Sequence, residues 1–209
     1  MKIAFITPGS GNGFYCQNCL RDYELIREIR KLGHDAFSVP LYLPLDLKET
    51  GDSNRRPVFC GAVNLYLQEK NPLYRYVPDF IKKSLDSEIV LRIVGHFSSS
   101  TKASGLEDMT ISMLEGENGI YSDSINQLVD WLKKNEKPDI VHISNALLLG
   151  VAPMLRKELA CKIICFLQDE NEWIDNFSEK VSKRIYSLIA EKSLYVDHFV
   201  SVSEWFKKI

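Results

Sequence analysis

Residues 1–35 read MKIAFITPGSGNGFYCQNCLRDYELIREIRKLGHD, and the fold turns on this stretch. Ile3 to Thr7 form a short continuous apolar run closed by Pro8 and Gly9, as a strand buried on both faces would be. Beyond the glycines, Cys19, Tyr23, Leu25, Ile26, Ile29 and Leu32 recur at spacings of three and four. That spacing predicts an amphipathic helix from about Cys16 to Leu32, with Gly33 as its stop. DAFSVPLYL, residues 35–43, reads as the next strand. A strand, a helix and a strand in so short a length imply parallel strands joined by a right-handed crossover.

The same alternation returns after an irregular middle. Residues 44–57 read as a loop, VFCGAVNLYLQ (58–68) as a strand, and residues 78–98 and 106–116 as helical segments. Residues 122–139 repeat the helical pattern, with Ile125, Leu128, Val129 and Leu132 on one face and Pro138 as the stop. IVHI (140–143), KIICFL (162–167) and HFVSVS (198–203) read as strands, and residues 150–160 and 178–196 as helices between them. The expected fold is α/β, a Rossmann-like doubly wound parallel sheet in a single domain over residues 1–209. Ser203 reads as an N-cap and EWFKKI (204–209) as the start of a helix, so the expectation is a natural protein that continues past Ile209.

Composition sets outer limits. The 209 residues are 45% hydrophobic and 26% charged, ordinary values for a globular chain. With 26 Lys+Arg against 28 Asp+Glu the net charge is −2, which provides no broad basic surface for nucleic acid. No run approaches the ~20 apolar residues of a transmembrane helix, and the apolar run after Lys2 is too short for a signal segment, so a cytoplasmic location is expected. The five cysteines are expected to be thiols.

The loop after the first strand, PGSGNG (8–13), lies where a parallel sheet opens its ligand crevice. Glycines there let backbone N–H groups approach a phosphate beside the positive end of a helix. Spacing alone leaves that reading level with a plain tight turn. The third glycine of a dinucleotide fingerprint is replaced by Phe14, and no Gly-Lys-Ser/Thr follows, so neither a nicotinamide site nor a P-loop is indicated. Cys16 and Cys19 form a C-x-x-C pair near a helix N-terminus, where thiolates are stabilised, although packing as small apolar residues is the preferred reading. No second pair joins them, and no metal site is expected. His142 alternates within a buried strand and reads as a core histidine with its hydrogen bonds satisfied.

Taken together, MKIAFITPG, the glycine loop, LRDYELIREIRKLGHD (20–35), PDIVHISNALLLGVAPMLRKELACKIICFLQDENEW (138–173) and VDHFVSVSEWF (196–206) resemble the N-terminal domain of GT-B glycosyltransferases of the family-four type. A sharper likeness is to a bacterial branch with a Tyr-Cys-x-x-Cys-Leu-Arg-Asp segment. The resemblance covers both ends of the chain well and the middle poorly. It implies the acceptor-side half of a GT-B fold, whose donor-binding C-terminal domain lies outside this chain. It implies a retaining, metal-independent transfer from a nucleotide diphosphate sugar to a hydroxyl acceptor, without a cofactor, and an isolated domain that is inactive or nearly so.

Position by position, the resemblance makes Gly11, Asn12 and Gly13 the loop that approaches the donor phosphates and sugar. Gln168, Asp169 and Glu170 stand at the catalytic place where many relatives carry a histidine, with Gln168 in that histidine's position. Their bland alternative is a solvated loop or helix cap. Tyr15, Asn145 and Arg21 are acceptor-side candidates, Arg21 being read rather as a surface partner of Asp22. Trp173, Tyr15 and Phe14 are candidates for a sugar-stacking platform. Two other functions stay open: a stand-alone, non-catalytic nucleotide-binding module, and a thiol redox protein using Cys16 and Cys19.

Overall fold

The computed structural model describes residues 1–9, 17–43, 57–78, 106–204 and 206–208. The expected strands β1 (Lys2–Thr7), β2 (Asp35–Pro40), β3 (Ile140–Ile143), β4 (Lys162–Leu167) and β5 (His198–Ser201) form one sheet in the order β2-β1-β3-β4-β5. All four pairings are parallel, with Ala4 opposite Phe37 and Val141, and Cys165 opposite Ile143 and Phe199. The order is that of a doubly wound, Rossmann-like sheet whose direction of winding reverses between β1 and β3.

Alternation along β1 sends successive side chains to opposite faces. Ile3 and Phe5 pack with Ile26, Ala36, Leu25 and Ile29 under α1 (Gln17–Lys31). Ala4 and Ile6 join the larger core on the other face. That core is closed by α3 (Glu107–Glu115), α4 (Ser122–Trp131), α5 (Ala152–Glu158) and α7 (Glu179–Ser193), contributing Leu114, Ile125, Leu128, Leu155, Ile185 and Leu188 among others. The remaining described α-helices are α2 (Ala62–Lys70) and α6 (Glu170–Ile174). None of the described helices is long and apolar enough to cross a membrane.

Helix α1 ends where expected, with Gly33 at φ +83°. Leu32 is 75% exposed, because it lies past the last turn that contacts the sheet. The predicted face of α4 is buried at all of Ile125, Leu128, Val129 and Leu132. The chain leaves that helix through a wider turn, Leu132–Glu136, and a left-handed Lys137 at φ 48°, so it departs from helical geometry just before Pro138.

One element differs in type. VFCGAVNLYLQ reads as a strand, but residues from Ala62 to Lys70 form α2, stopped by Asn71 and Pro72. Val63, Leu65 and Leu67 alternate like a strand, and propensity yields here to packing of buried Leu65 and Asn64. The predicted helix over residues 78–98 lies outside the described residues apart from Pro78.

Candidate functional site

At the switch between β1 and β3 the chain leaves three strands in one direction: β1 into Pro8 and Gly9, β3 into Ser144 and Asn145, β4 into Gln168 and Asp169. Gly9 has φ +85°, and a Cβ there would overlap the Leu43 carbonyl. Pro8 O accepts from Tyr42 N at 2.9 Å, so glycine lets the loop after β1 lie directly on the loop after β2. Gly11, Asn12, Gly13, Phe14, Tyr15 and Cys16 lie outside the described residues, and the readings placed on them rest on sequence alone.

Helix α1 supplies the charge that ties these loops together. Arg21 donates to Asp22 Oδ1 through Nε at 2.9 Å and Nη2 at 2.6 Å, and reaches the Ser144 carbonyl at 3.0 Å. Asp22 is fully buried and accepts from Ser144 Oγ through its second oxygen. Burial pushes the Asp22 carboxyl up, opposed by the Arg21 charge and by the hydrogen bonds from Ser144 and Arg21. Arg21 and Asp22 therefore pair with the carboxylate buried and the guanidinium half-buried above it, anchoring α1 to the end of β3. The guanidinium also lies 4.5 Å above the ring of Phe166.

The three acidic-loop candidates part company in three dimensions. Gln168 is buried, and its carboxamide, oriented to satisfy both neighbours, accepts from the Arg21 guanidinium and donates to Asn18 Oδ1. Glu170, also buried, accepts from Ala146 N through one oxygen and from Gln168 N through the other, both at 2.8 Å. Asp169, between them, is exposed, and its side chain caps nothing on α6. Asn145 is buried and accepts from Leu147 N at 3.0 Å, which caps the tight helical turn Ala146–Val151. Trp173 meets Phe177 edge-on at 5.9 Å and packs against the core.

His142 lies on the floor of the same region. Its ring is 4.3 Å from that of Phe5 and 4.7 Å from that of Phe166, and neither nitrogen has a hydrogen-bond partner among the described residues. It is a core histidine, as its alternation implies, but not a satisfied one. Burial and the nearby Arg21 charge hold its pKa down to about 3, so the ring is neutral. Burial and the Glu170 carboxylate push the Cys165 thiol well up, which makes it a poor nucleophile. Cys19 is buried on the core face of α1, while Cys16 is outside the described residues.

Sequence reading set Asn145, Gln168 and Glu170 at one end of the sheet, but leaned to Arg21 and Asp22 as a pair on the helix surface and missed Asn18 as the partner of Gln168 and Ser144 as that of Arg21 and Asp22. A signal for Asp22 was available: it stands three residues after Cys19 and four before Ile26, on the apolar stripe, where a carboxylate requires a buried donor. Nothing local marks Ser144, whose partner is 122 residues away in sequence. No group of three or more His, Cys, Asp or Glu side chains among the described residues is arranged to hold a metal ion.

Sheet order, all-parallel pairing and helices on both faces together define an α/β protein of the Rossmann-like class. Comparison with protein-family models finds none that matches this chain, and comparison with curated proteins finds no match either.

Proposed function

We propose that this chain is the acceptor-side domain of a retaining, metal-independent glycosyltransferase, which moves a sugar from a nucleotide diphosphate sugar to a hydroxyl acceptor. A second domain would hold most of the donor. The observation that supports this reading is Gln168 at the end of β4, held against Arg21 and Asn18 beside the point where the winding of the sheet reverses. Asp169, exposed next to Gln168, can accept from a sugar hydroxyl, and the buried Gln168 carboxamide, held by Arg21 and Asn18, orders the loop that carries it. Gly11, Asn12 and Gly13 would turn N–H groups toward the departing nucleoside diphosphate, whose developing negative charge such donors and the α1 dipole stabilise.

The test is a titration of 15N-labelled protein with uridine diphosphate glucose, guanosine diphosphate mannose and a set of simple glycosides, together with an assay for released nucleoside diphosphate. Shifts confined to Asn145, Gln168, Asp169 and the loop after β1, without turnover by the 209-residue chain, are expected. Shifts absent from these residues with every compound would overturn the reading. Robust turnover by this chain alone would overturn the two-domain account.

A further inference from the structure

The Glu170 side chain is unusual among the strand-end groups because it serves two loops at once. Its carboxylate takes the Ala146 N–H after β3 on one oxygen and the N–H of Gln168 after β4 on the other, each at 2.8 Å, while only 7% of the residue is exposed. Neither oxygen is turned to solvent as a ligand-contacting acid would be. Gln168 is thereby fixed at both ends, its backbone by Glu170 and its carboxamide by Arg21 and Asn18. Arg21 is itself held by Asp22 and by the Ser144 carbonyl. A chain of charge-assisted hydrogen bonds thus runs from α1 through both loops, and such bonds are stronger and shorter than neutral ones.

We propose that Glu170 is a positioning residue, which locks the loops after β3 and β4 to one another and sets the orientation of Gln168. This rests on the reading given above, in which the loop after β4 that carries Gln168 and Asp169 faces the sugar. The geometry explains why a carboxylate is needed. Two converging N–H donors require two acceptor oxygens on one planar group, and an amide would set its own N–H₂ against one of them. Aspartate keeps both oxygens but is one methylene shorter, so it cannot reach both loops from the first turn of α6.

Glu170→Gln and Glu170→Asp, with the exposed-site control Lys183→Ala, would be compared with wild type by amide hydrogen exchange and by the side-chain amide resonances of Gln168. Leaving a buried donor unpaired costs enough to speed its exchange about tenfold or more. The expected result is that acceleration at Ala146 N, Gln168 N or both, together with displaced Gln168 side-chain resonances. Phe5 and Val141, in the neighbouring strands, should change by less than about threefold. Exchange unchanged at both amides would overturn the proposal. So would uniform acceleration across the sheet with the Gln168 resonances in place, since Glu170 would then only stabilise the fold. If Glu170→Asp fails to fold, Glu170→Gln carries the test, because it preserves shape and one acceptor. A failure of the chain to bind any sugar compound would remove the glycosyltransferase reading and leave these amide measurements standing.

Discussion

His142 makes the stability of this protein depend on pH in a range where carboxylates are still ionised. In the folded chain its pKa is held down to about 3, whereas an unhindered imidazole titrates near 6.5. Protons are therefore taken up by the unfolded chain and refused by the folded one as pH falls through 6.5, and the stability contributed by the neutral ring is lost progressively from there toward the folded value. Over that window the loss is about 1.4 kcal/mol per pH unit, which integrates to about 2 kcal/mol between pH 7 and pH 5.

Replacement of His142 by Phe keeps an aromatic ring between Phe5 and Phe166 and removes both unpartnered nitrogens. Removing polar atoms that lack partners is neutral or stabilising, so the variant should be at least as stable as wild type at pH 7. Urea titrations followed by circular dichroism at a series of pH values would give the difference directly. The other three histidines, His34, His96 and His198, are present in both proteins, so their contributions cancel. A gap that widens by about 2 kcal/mol in favour of His142→Phe on going to pH 5 is expected. If wild type and variant lose stability in parallel to within about 0.5 kcal/mol, the buried neutral histidine is refuted.

Two further outcomes test other parts of the fold. Gly150 lies so close to α3 that an added Cβ would overlap the Met113 carbonyl, backbone that cannot rotate away. Gly150→Ala should therefore cost about 1–3 kcal/mol by overpacking, read as a lower urea midpoint with an unchanged slope. Asp197 accepts from Ile163 N at 2.8 Å, Lys162 at 3.0 Å and Arg156 at 2.6 Å, and these bonds, that from the Ile163 backbone foremost, hold its carboxyl below the usual range. Asp197→Asn should lower the melting temperature at neutral pH. The deficit should fade as pH drops below the ordinary carboxylate range, where wild type becomes protonated as well; a deficit independent of pH would contradict the ionic origin.

Strands β1, β3 and β4 were legible in the sequence because a central parallel strand covered on both faces is largely apolar, and IVHI and KIICFL coincide with β3 and β4, whereas β2 and β5 are edge strands marked by short β-branched and aromatic runs. Helices α1, α4 and α7 were legible from their 3.6-residue stripes. Residues 62–70 were not, since three alternating apolar residues fit either period and tertiary packing chose the helix. Strand order likewise has no local signal. It follows from how helices cover the two faces, and it brings the ends of β1, β3 and β4 side by side at one end of the sheet.

The sequence by itself determined the class of the fold, the strands and most helices, and that Gly9, Asn145 and residues 168–170 stand at strand ends. Only the tertiary structure decided what those strand-end residues do. Asn145 caps a turn, Glu170 binds two loops and Asp169 alone of the acidic pair meets solvent. The reason is physical: periodicity reports which face of an element is buried, whereas the partner of a buried polar group is set by backbone brought together from far apart. Asp22 and Ser144, 122 residues apart along the chain, meet only after β1 and β3 have paired and α1 has closed over them.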